Sequence, residues 1–210
     1  MPTMASASRH TAPPPRPYGP EDNGTILTPR AFDRAEFEEG WRYELINGVL
    51  VVSPIPFERE GELNEELGYW LRHYQHGHPE GICLLSTLVE RVIVLGDNRR
   101  RPDRVIWIGP PSILRQKRLP TIVAEFVSKR KRDRLRDYET KRDEYLAAGI
   151  KEYWVIDRFA KKVAIFTKPG RRIRATVLEA DQDLTSSLLP GFALPLKRLF
   201  AVAERWAEEE

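Results

Sequence analysis

Two carboxylates beside predicted strands are the residues best suited to chemistry in this sequence. Asp103 follows a proline at the start of the apolar run "RVIWI", and Glu125 stands inside the apolar run "TIVAEFV". A buried carboxylate is costly unless a cation pairs with it, so Glu125 either has a cationic partner or lies on an exposed edge of the sheet. Two carboxylates on neighbouring strands can bind a hard divalent cation such as Mg²⁺. An aspartate at a strand end is, however, often only a turn residue.

A lysine on the next predicted helix could act with these carboxylates. Asp137, Lys141 and Tyr145 are spaced i, i+4 and i+8, which places them on one ridge of a helix. Lys141 could reach over the end of the Glu125 strand and hold a water or a phosphate. It could also point to solvent, or form an ion pair with Asp137 that stabilises the helix by only about 0.2–0.5 kcal/mol.

Positive charge is concentrated close to both carboxylates. Lysine and arginine (34) slightly outnumber aspartate and glutamate (31), giving a net charge of +3, but two short segments are strongly basic. Such segments suit a polyanionic partner, although runs of charge are most often solvated faces. The candidate contacts to a nucleic-acid backbone are Arg99, Arg100, Arg101, Lys129, Arg130, Lys131 and Arg132.

The elements that must position these residues are strands mixed with a few helices. Asn47-Gly48 between two apolar runs predicts a β-hairpin, because both positions of its tight turn need positive φ. Leucines at 63, 67 and 71 predict an amphipathic helix that ends at Gly77. Further strands are predicted in "TLVERVIVLG", "DRVIWIG", "TIVAEFV", "KEYWVID", "KKVAIFTK" and "RRIRATVLEA". This order predicts an α/β or α+β sheet core.

Composition and termini narrow the class of protein. Residues 1–24 hold six of the 17 prolines and predict a flexible tail, followed by a single domain over residues 25–210 with a C-terminal helix. No apolar run approaches about 18 residues, so we expect no membrane span. One cysteine excludes an internal disulfide and suits a reducing compartment, so we expect a cytoplasmic protein.

Other chemistries lack the residues that they need. His73, His76 and His78 do not share one helix face, and no cysteine nearby completes a zinc site. The sequence contains no glycine-rich phosphate loop. No serine or threonine has a specific arrangement of neighbours that would support a nucleophilic triad.

The order of these motifs resembles the Uma2 family of endonucleases, which belongs to the PD-(D/E)XK nuclease superfamily. The resemblance covers about residues 31–167 and is most specific in its last third. The matching stretches are Tyr43–Gly48, Ser53-Pro54, Pro102-Asp103, Glu125–Ser128, Asp137-x3-Lys141-x3-Tyr145 and Gly149–Asp157.

The resemblance implies a restriction-endonuclease-like core, a mixed sheet flanked by helices, with metal-dependent cleavage of phosphodiester bonds. Asp103 matches the aspartate of the PD motif and Glu125 the acid of the second half-motif, so both would bind Mg²⁺ or Mn²⁺. The superfamily usually places a lysine where this chain has Val127, and Lys141 matches the position on the next helix to which Uma2-like proteins have moved it. Glu44 matches an early glutamate that would complete the metal sphere or accept a proton.

The sequence departs from the family at two further positions. The family often has Ser-Pro where this chain has Ser128-Lys129, and the connection to the next helix is longer. A histidine common in the family corresponds to Glu60. Both changes leave the predicted metal ligands in place and affect the expected loop geometry.

We therefore expect a Mg²⁺-dependent endonuclease that acts on nucleic acid, with DNA as the substrate. The alternative is a catalytically inactive nucleic-acid-binding or assembly module that retains the nuclease fold. The carboxylates and lysine favour the enzyme, because a binding module does not need buried acids beside a lysine. A homodimer would suit the cleavage of both strands of a duplex, since it supplies two sites.

Overall fold

The computed structural model describes residues 16–56, 58–115, 118–128 and 136–205, with the side chains of residues 59, 115, 136 and 137 excepted. The chain divides into two compact units where we expected one domain. The first comprises Met1–Ile55 and Val94–Arg101, and the second comprises Pro56–Ile93 and Pro102–Glu210. Residues 1–15 of the predicted tail and the basic stretch Lys129–Arg132 lie outside the described residues.

The first unit is built on a small antiparallel sheet. Its helix α1 spans Pro29–Arg34, and the strands are β1 (Trp41–Ile46), β2 (Val49–Pro54), β4 (Ile93–Leu95) and β5 (Asn98–Arg100), in the order β2-β1-β5-β4. Asn47 and Gly48 have φ of 51° and 78° between β1 and β2, which confirms the predicted hairpin. Its apolar core consists of Tyr18, Leu27, Phe32, Tyr43, Leu45 and Leu50.

The predicted boundary of the N-terminal tail is wrong, because residues 16–24 are folded. Tyr18 is buried in the apolar cluster, and its backbone N–H donates to the Glu36 carbonyl at 2.8 Å. A 3₁₀ helix follows at Pro20–Asp22. The prolines of this segment suggested a loose chain, but the one large aromatic side chain among them anchors it.

The second unit contains a mixed six-stranded sheet. Its strands are β3 (Leu84–Val89), β6 (Arg104–Ile108), β7 (Ile122–Phe126), β8 (Glu152–Asp157), β9 (Lys162–Thr167) and β10 (Arg174–Glu179), in the order β10-β9-β8-β7-β6-β3. β7 and β8 run parallel, and the other neighbours run antiparallel. The α-helices and further strands described in this unit are α2 (Glu58–Gly77), α3 (Ser112–Arg115), α4 (Arg142–Ala148), β11 (Asp183–Ser186), β12 (Leu189–Pro195) and α5 (Leu196–Glu204). This confirms the predicted mixed sheet flanked by helices.

The predicted single strand "TLVERVIVLG" is two strands. Glu90 has φ of 47°, and its N–H donates to the Asp103 carbonyl at 3.1 Å, so the chain turns after Val89 and resumes as β4 at Ile93. The apolar pattern concealed this break because valine and isoleucine continue on both sides of it.

The two faces of the six-stranded sheet differ. Ile122, Ala124 and Phe126 belong to the large apolar core, together with Leu63 and Leu67 of α2. Side chains alternate between the faces of a strand, so Glu125 projects to the opposite face. Among the described residues, no helix is long and apolar enough to cross a membrane.

Candidate active site

Asp103 and Glu125 lie on the same side of the sheet, at the ends of neighbouring strands. Arg104 of β6 pairs with Ala124 of β7, and the same antiparallel register continued by one residue places Asp103 opposite Glu125. Opposite residues in an antiparallel pair project to the same face. The Phe126 N–H donates to Asp103 Oδ2 at 2.7 Å, so the Asp103 carboxylate lies over the end of β7.

Glu125 is buried and receives two charge-stabilising contacts from the helix that covers it. Lys141 Nζ lies 2.9 Å from Oε2, and the Tyr145 hydroxyl donates to Oε1 at 2.9 Å. The exposed fractions are only 2% for Glu125 and 5% for Lys141. Of the directions open to the Lys141 side chain, the structure shows the one toward Glu125. The side chain points toward Glu125 rather than to solvent, and it supplies the cation that a buried carboxylate needs.

The described part of the helix that carries Lys141 contains an unusual turn. Residues Arg136–Lys141 form a π-helical turn, and α4 follows directly and ends before Gly149, whose φ is 101°. Asp133, an N-cap residue at which the sequence predicts this helix to begin, lies outside the described residues. Lys141 and Tyr145 are four residues apart at the start of α4, so both side chains reach the same carboxylate.

Glu44 lies in the first unit, whereas the other three predicted catalytic residues lie in the second. Its Oε1 accepts a hydrogen bond from the Arg101 N–H at 2.9 Å, and its Oε2 lies 3.8 Å from Nη1 of Arg100. These contacts connect β1 to the end of β5. A role of Glu44 in metal binding or proton transfer stays a prediction.

Two of the arginines predicted to contact nucleic acid are buried instead. Arg99 is 7% exposed and donates through Nε and Nη2 to the Asp33 carboxylate at 2.7 Å each, which lowers the pKa of Asp33 below its ordinary value. Arg100 is only 2% exposed and lies beside Glu44. Both side chains serve the packing of the first unit, which corrects the prediction for them. Arg101 is partly exposed, and its contact with nucleic acid stays a prediction.

The carboxylates present suit a divalent cation that keeps part of its water shell. In the part of the chain that the structure describes, no cluster of three or more His, Cys, Asp and Glu side chains could hold a metal ion. Mg²⁺ is usually held by one or two carboxylates with waters and substrate phosphate, so Asp103 and Glu125 are sufficient donors. Each carboxylate oxygen has two lone pairs and can bind a metal while it accepts a hydrogen bond. The residues therefore fit the metal that the sequence implies.

The sequence pattern did not point to Arg104, a buried charged residue that directly follows Asp103 in the chain. Arg104 is 4% exposed and donates to Asn64 Oδ1 at 2.6 Å, to the Asn64 carbonyl at 2.7 Å and to Thr87 Oγ1 at 2.9 Å. Burial lowers the pKa of Arg104 to about 10, so the guanidinium is charged at neutral pH. The signals in the sequence were an arginine at the start of an apolar run and a glycine, Gly68, inside a predicted helix.

Glu60, which replaces the histidine common in the resembling family, has a cationic partner. Its Oε1 accepts a hydrogen bond from Arg158 Nη2 at 3.3 Å, and both side chains are mostly buried. Arg158 also lies over the ring of Phe159, 4.1 Å from its centroid. The substitution therefore builds an ion pair between the first turn of α2 and the end of β8.

Comparisons with known proteins identify the family to which this fold belongs. The mixed sheet flanked by helices is a nuclease-type fold, with Asp103 where β6 begins and Glu125 near the end of β7. The chain matches the family model of Uma2, described as "Putative restriction endonuclease", over residues 29–197. The match covers most of the chain, and the protein belongs to the Uma2 family.

A solved structure supports the same fold. The chain is similar to a protein from Anabaena variabilis described as a "putative nuclease belonging to DUF820", with 16% sequence identity and a TM-score of 0.66. The similarity covers 84% of this chain and 99% of the other. No curated protein matches the chain.

Proposed function

We propose that the protein is a metal-dependent endonuclease that hydrolyses phosphodiester bonds in DNA. The observation that carries this proposal is the arrangement of Asp103, Glu125 and Lys141. Two buried carboxylates lie at neighbouring strand ends, and an ammonium lies 2.9 Å from one of them. Membership of the Uma2 family supports the reaction class.

Asp103 and Glu125 are the proposed ligands of Mg²⁺ or Mn²⁺. When bound, such an ion polarises the phosphodiester and lowers the pKa of an attacking water. The Phe126 N–H orients the Asp103 carboxylate, and the Tyr145 hydroxyl orients that of Glu125. The backbone carbonyl of Phe126 is a further candidate oxygen ligand.

Lys141 has the proposed role of holding the attacking hydroxide or neutralising the charge that develops on the phosphate. The usual superfamily position for this cation holds Val127, which is 1% exposed and apolar. Lys141 reaches the same carboxylate from the helix, where a preorganised charge can act on a transition state. Glu44 is proposed to assist as a metal ligand or proton acceptor.

The proposed nucleic-acid contacts are Arg101 and the stretch Lys129–Arg132. Cations that bind phosphates give affinity without sequence information, and their contribution falls as salt rises. Arg99 and Arg100 are left out of this surface because their guanidinium groups are buried beside Asp33 and Glu44.

Titration calorimetry with Mn²⁺ and plasmid cleavage in the same buffer test the proposal. The wild type should bind Mn²⁺ and cut DNA, and Asp103→Asn should lose both activities while remaining folded, because an asparagine oxygen still accepts the Phe126 hydrogen bond. DNA binding without turnover at any Mg²⁺ or Mn²⁺ concentration would instead establish the inactive binding module.

A further inference from the structure

Arg104 is buried, and the groups that accept its hydrogen bonds are uncharged. Burying a charged side chain in this way costs free energy of folding. Its hydrogen bonds among the described residues go to the side chain and carbonyl of Asn64 and to the hydroxyl of Thr87, and a carboxylate oxygen of the exposed Glu65 lies 4.0 Å from Nη2. Apolar residues of similar volume often stabilise a fold at least as well as buried charges. This cost indicates that Arg104 has a task that an apolar residue could not perform.

Helix α2, which packs against Arg104, leaves room for the guanidinium at Gly68. This space is called the Gly68 notch below. Gly68 lies in the interior of α2, where glycine is among the least favourable residues. A methyl group at this position would lie 2.5 Å from Nη2 of Arg104. At Gly61 in the same helix, a methyl group would meet no described atom within 4 Å. The absence of a side chain at Gly68 therefore provides the space that the Arg104 guanidinium occupies.

Asn64 connects this buried arginine to Asp103. Its Oδ1 accepts from Arg104 Nε at 2.6 Å, and its Nδ2 donates to the Asp103 carbonyl at 2.9 Å. An amide has one accepting and one donating end, so the guanidinium fixes which end faces Asp103. The carboxylate of Asp103 is fixed in turn by the Phe126 N–H at 2.7 Å.

We propose that Arg104, seated in the Gly68 notch and joined to Asn64, is a positioning residue that sets the Asp103 carboxylate for metal binding. The metal-binding part rests on the proposed function. The positioning part does not, because it concerns a contact between Asp103 and Phe126 that involves only groups of this chain. Replacing a residue that orients a metal ligand typically lowers the metal affinity about 10- to 100-fold.

The test is Gly68→Ala, which displaces the guanidinium without changing Asp103, Asn64 or Arg104. The first readout is the amide proton resonance of Phe126 in metal-free protein, which reports the hydrogen bond to the Asp103 carboxylate. It should move upfield as this bond lengthens. The second readout is the Mn²⁺ dissociation constant, which should rise about 10-fold or more.

Two controls separate positioning from a general effect on the helix. Gly61→Ala makes the same change in the same helix and should leave both readouts unaltered. In an Arg104→Lys background, which lacks Nη2, Gly68→Ala should add little to the shift that Arg104→Lys already causes. Such non-additivity is the signature of two residues acting through one contact.

The outcomes distinguish the two proposals. An unchanged Phe126 resonance in folded Gly68→Ala protein overturns the positioning role, as does a full additional shift in the Arg104→Lys background. If wild type binds no Mn²⁺ but the resonance moves, the positioning role stands and the proposed metal-dependent activity falls. If Gly68→Ala does not fold, Thr87→Val decides by the same resonance, because it removes only the acceptor of Nη1.

Discussion

The ammonium of Lys141 lies 2.9 Å from the Glu125 carboxylate, inside a region from which water is almost excluded. Removing one member of a buried ion pair costs about 3–5 kcal/mol, because the other charge stays behind without compensation. The two residues therefore depend on each other for the fold as well as for any chemistry at this site.

Lys141→Ala should lower the single-turnover cleavage rate by about 10² or more, the scale expected when one preorganised charge is lost from a transition state. Mn²⁺ binding should remain nearly intact. Lys141→Arg should rescue poorly, since a planar guanidinium does not replace a compact ammonium at a tight site. Rates of plasmid cleavage with excess Mg²⁺, corrected for the folded fraction by circular dichroism, provide the measurement.

The matched control for this prediction is Lys161→Ala. Lys161 also forms an ion pair, with Glu204, but its side chain is 57% exposed. Its replacement should leave cleavage unaltered. Full activity in Lys141→Ala would show that Lys141 has only a structural role.

Tyr145→Phe should reduce the free energy of unfolding by about 2 kcal/mol. The change keeps the ring and removes the hydroxyl that donates to Glu125 at 2.9 Å, and hydrogen bonds to charged groups contribute about 1.5–3 kcal/mol. Urea denaturation measures the difference. Tyr69→Phe, at an exposed tyrosine of α2, is the control and should have no measurable effect. Equal stability of Tyr145→Phe and wild type would contradict this hydrogen bond.

Replacement of Lys129, Arg130, Lys131 and Arg132 by alanine should weaken DNA binding about equally for all sequences. It should also reduce the slope of log affinity against log salt by up to about 4, because each phosphate contact contributes about 0.9. Fluorescence anisotropy over a range of salt concentrations gives both quantities. The same number of charges can be removed at the exposed residues Lys168, Arg171, Arg172 and Arg174 as a control. If both variants lose the same affinity, only net charge is involved.

Glu152→Gln should stabilise the fold at neutral pH but not in acid. Burial raises the pKa of Glu152 above its ordinary value of 4.5, although Trp154 Nε1 and Ser186 Oγ donate to its carboxylate at 2.8 and 3.0 Å. As pH rises above about 4.5, the unfolded chain releases this proton before the folded chain does, so the wild type loses stability through the higher folded pKa.

The free energy of unfolding of wild type and Glu152→Gln, measured by urea denaturation at several pH values, checks this prediction. The two values should converge in acid and separate as the pH rises. Glu80→Gln, at an exposed glutamate, should follow the wild type at every pH. A constant difference between Glu152→Gln and wild type across the range would refute the titration of Glu152.

The parts of the fold that the sequence predicted well depend on local signals. Asn47-Gly48 specifies its turn through the φ values that the two residues accept, and the leucines of α2 specify one buried helix face. The direction of Lys141 depends partly on the same kind of signal, because a carboxylate in an apolar strand requires a cation and Lys141 shares one helix ridge with Tyr145.

The parts that the sequence could not predict depend on partners distant in the chain. Three consecutive arginines look the same whether they are exposed or buried, and the partner of Arg99 is Asp33, 66 residues away. Similarly, the link from Arg104 to Asn64 spans 40 residues. The charge and spacing of residues do not show such distant pairs. The sequence therefore predicts an exposed surface at the basic run 99–101.

The π-helical turn at Arg136–Lys141 makes the site tolerant of one change in chain length. A π turn holds about one residue more than an α turn, so the extra residue is accommodated without rotating the rest of the helix. Deleting one residue between Arg136 and Thr140 would allow a regular α-helix to form, with Lys141 still four residues before Tyr145 and directed toward Glu125. During divergence, we therefore expect functional relatives to include chains that are one residue shorter along this turn.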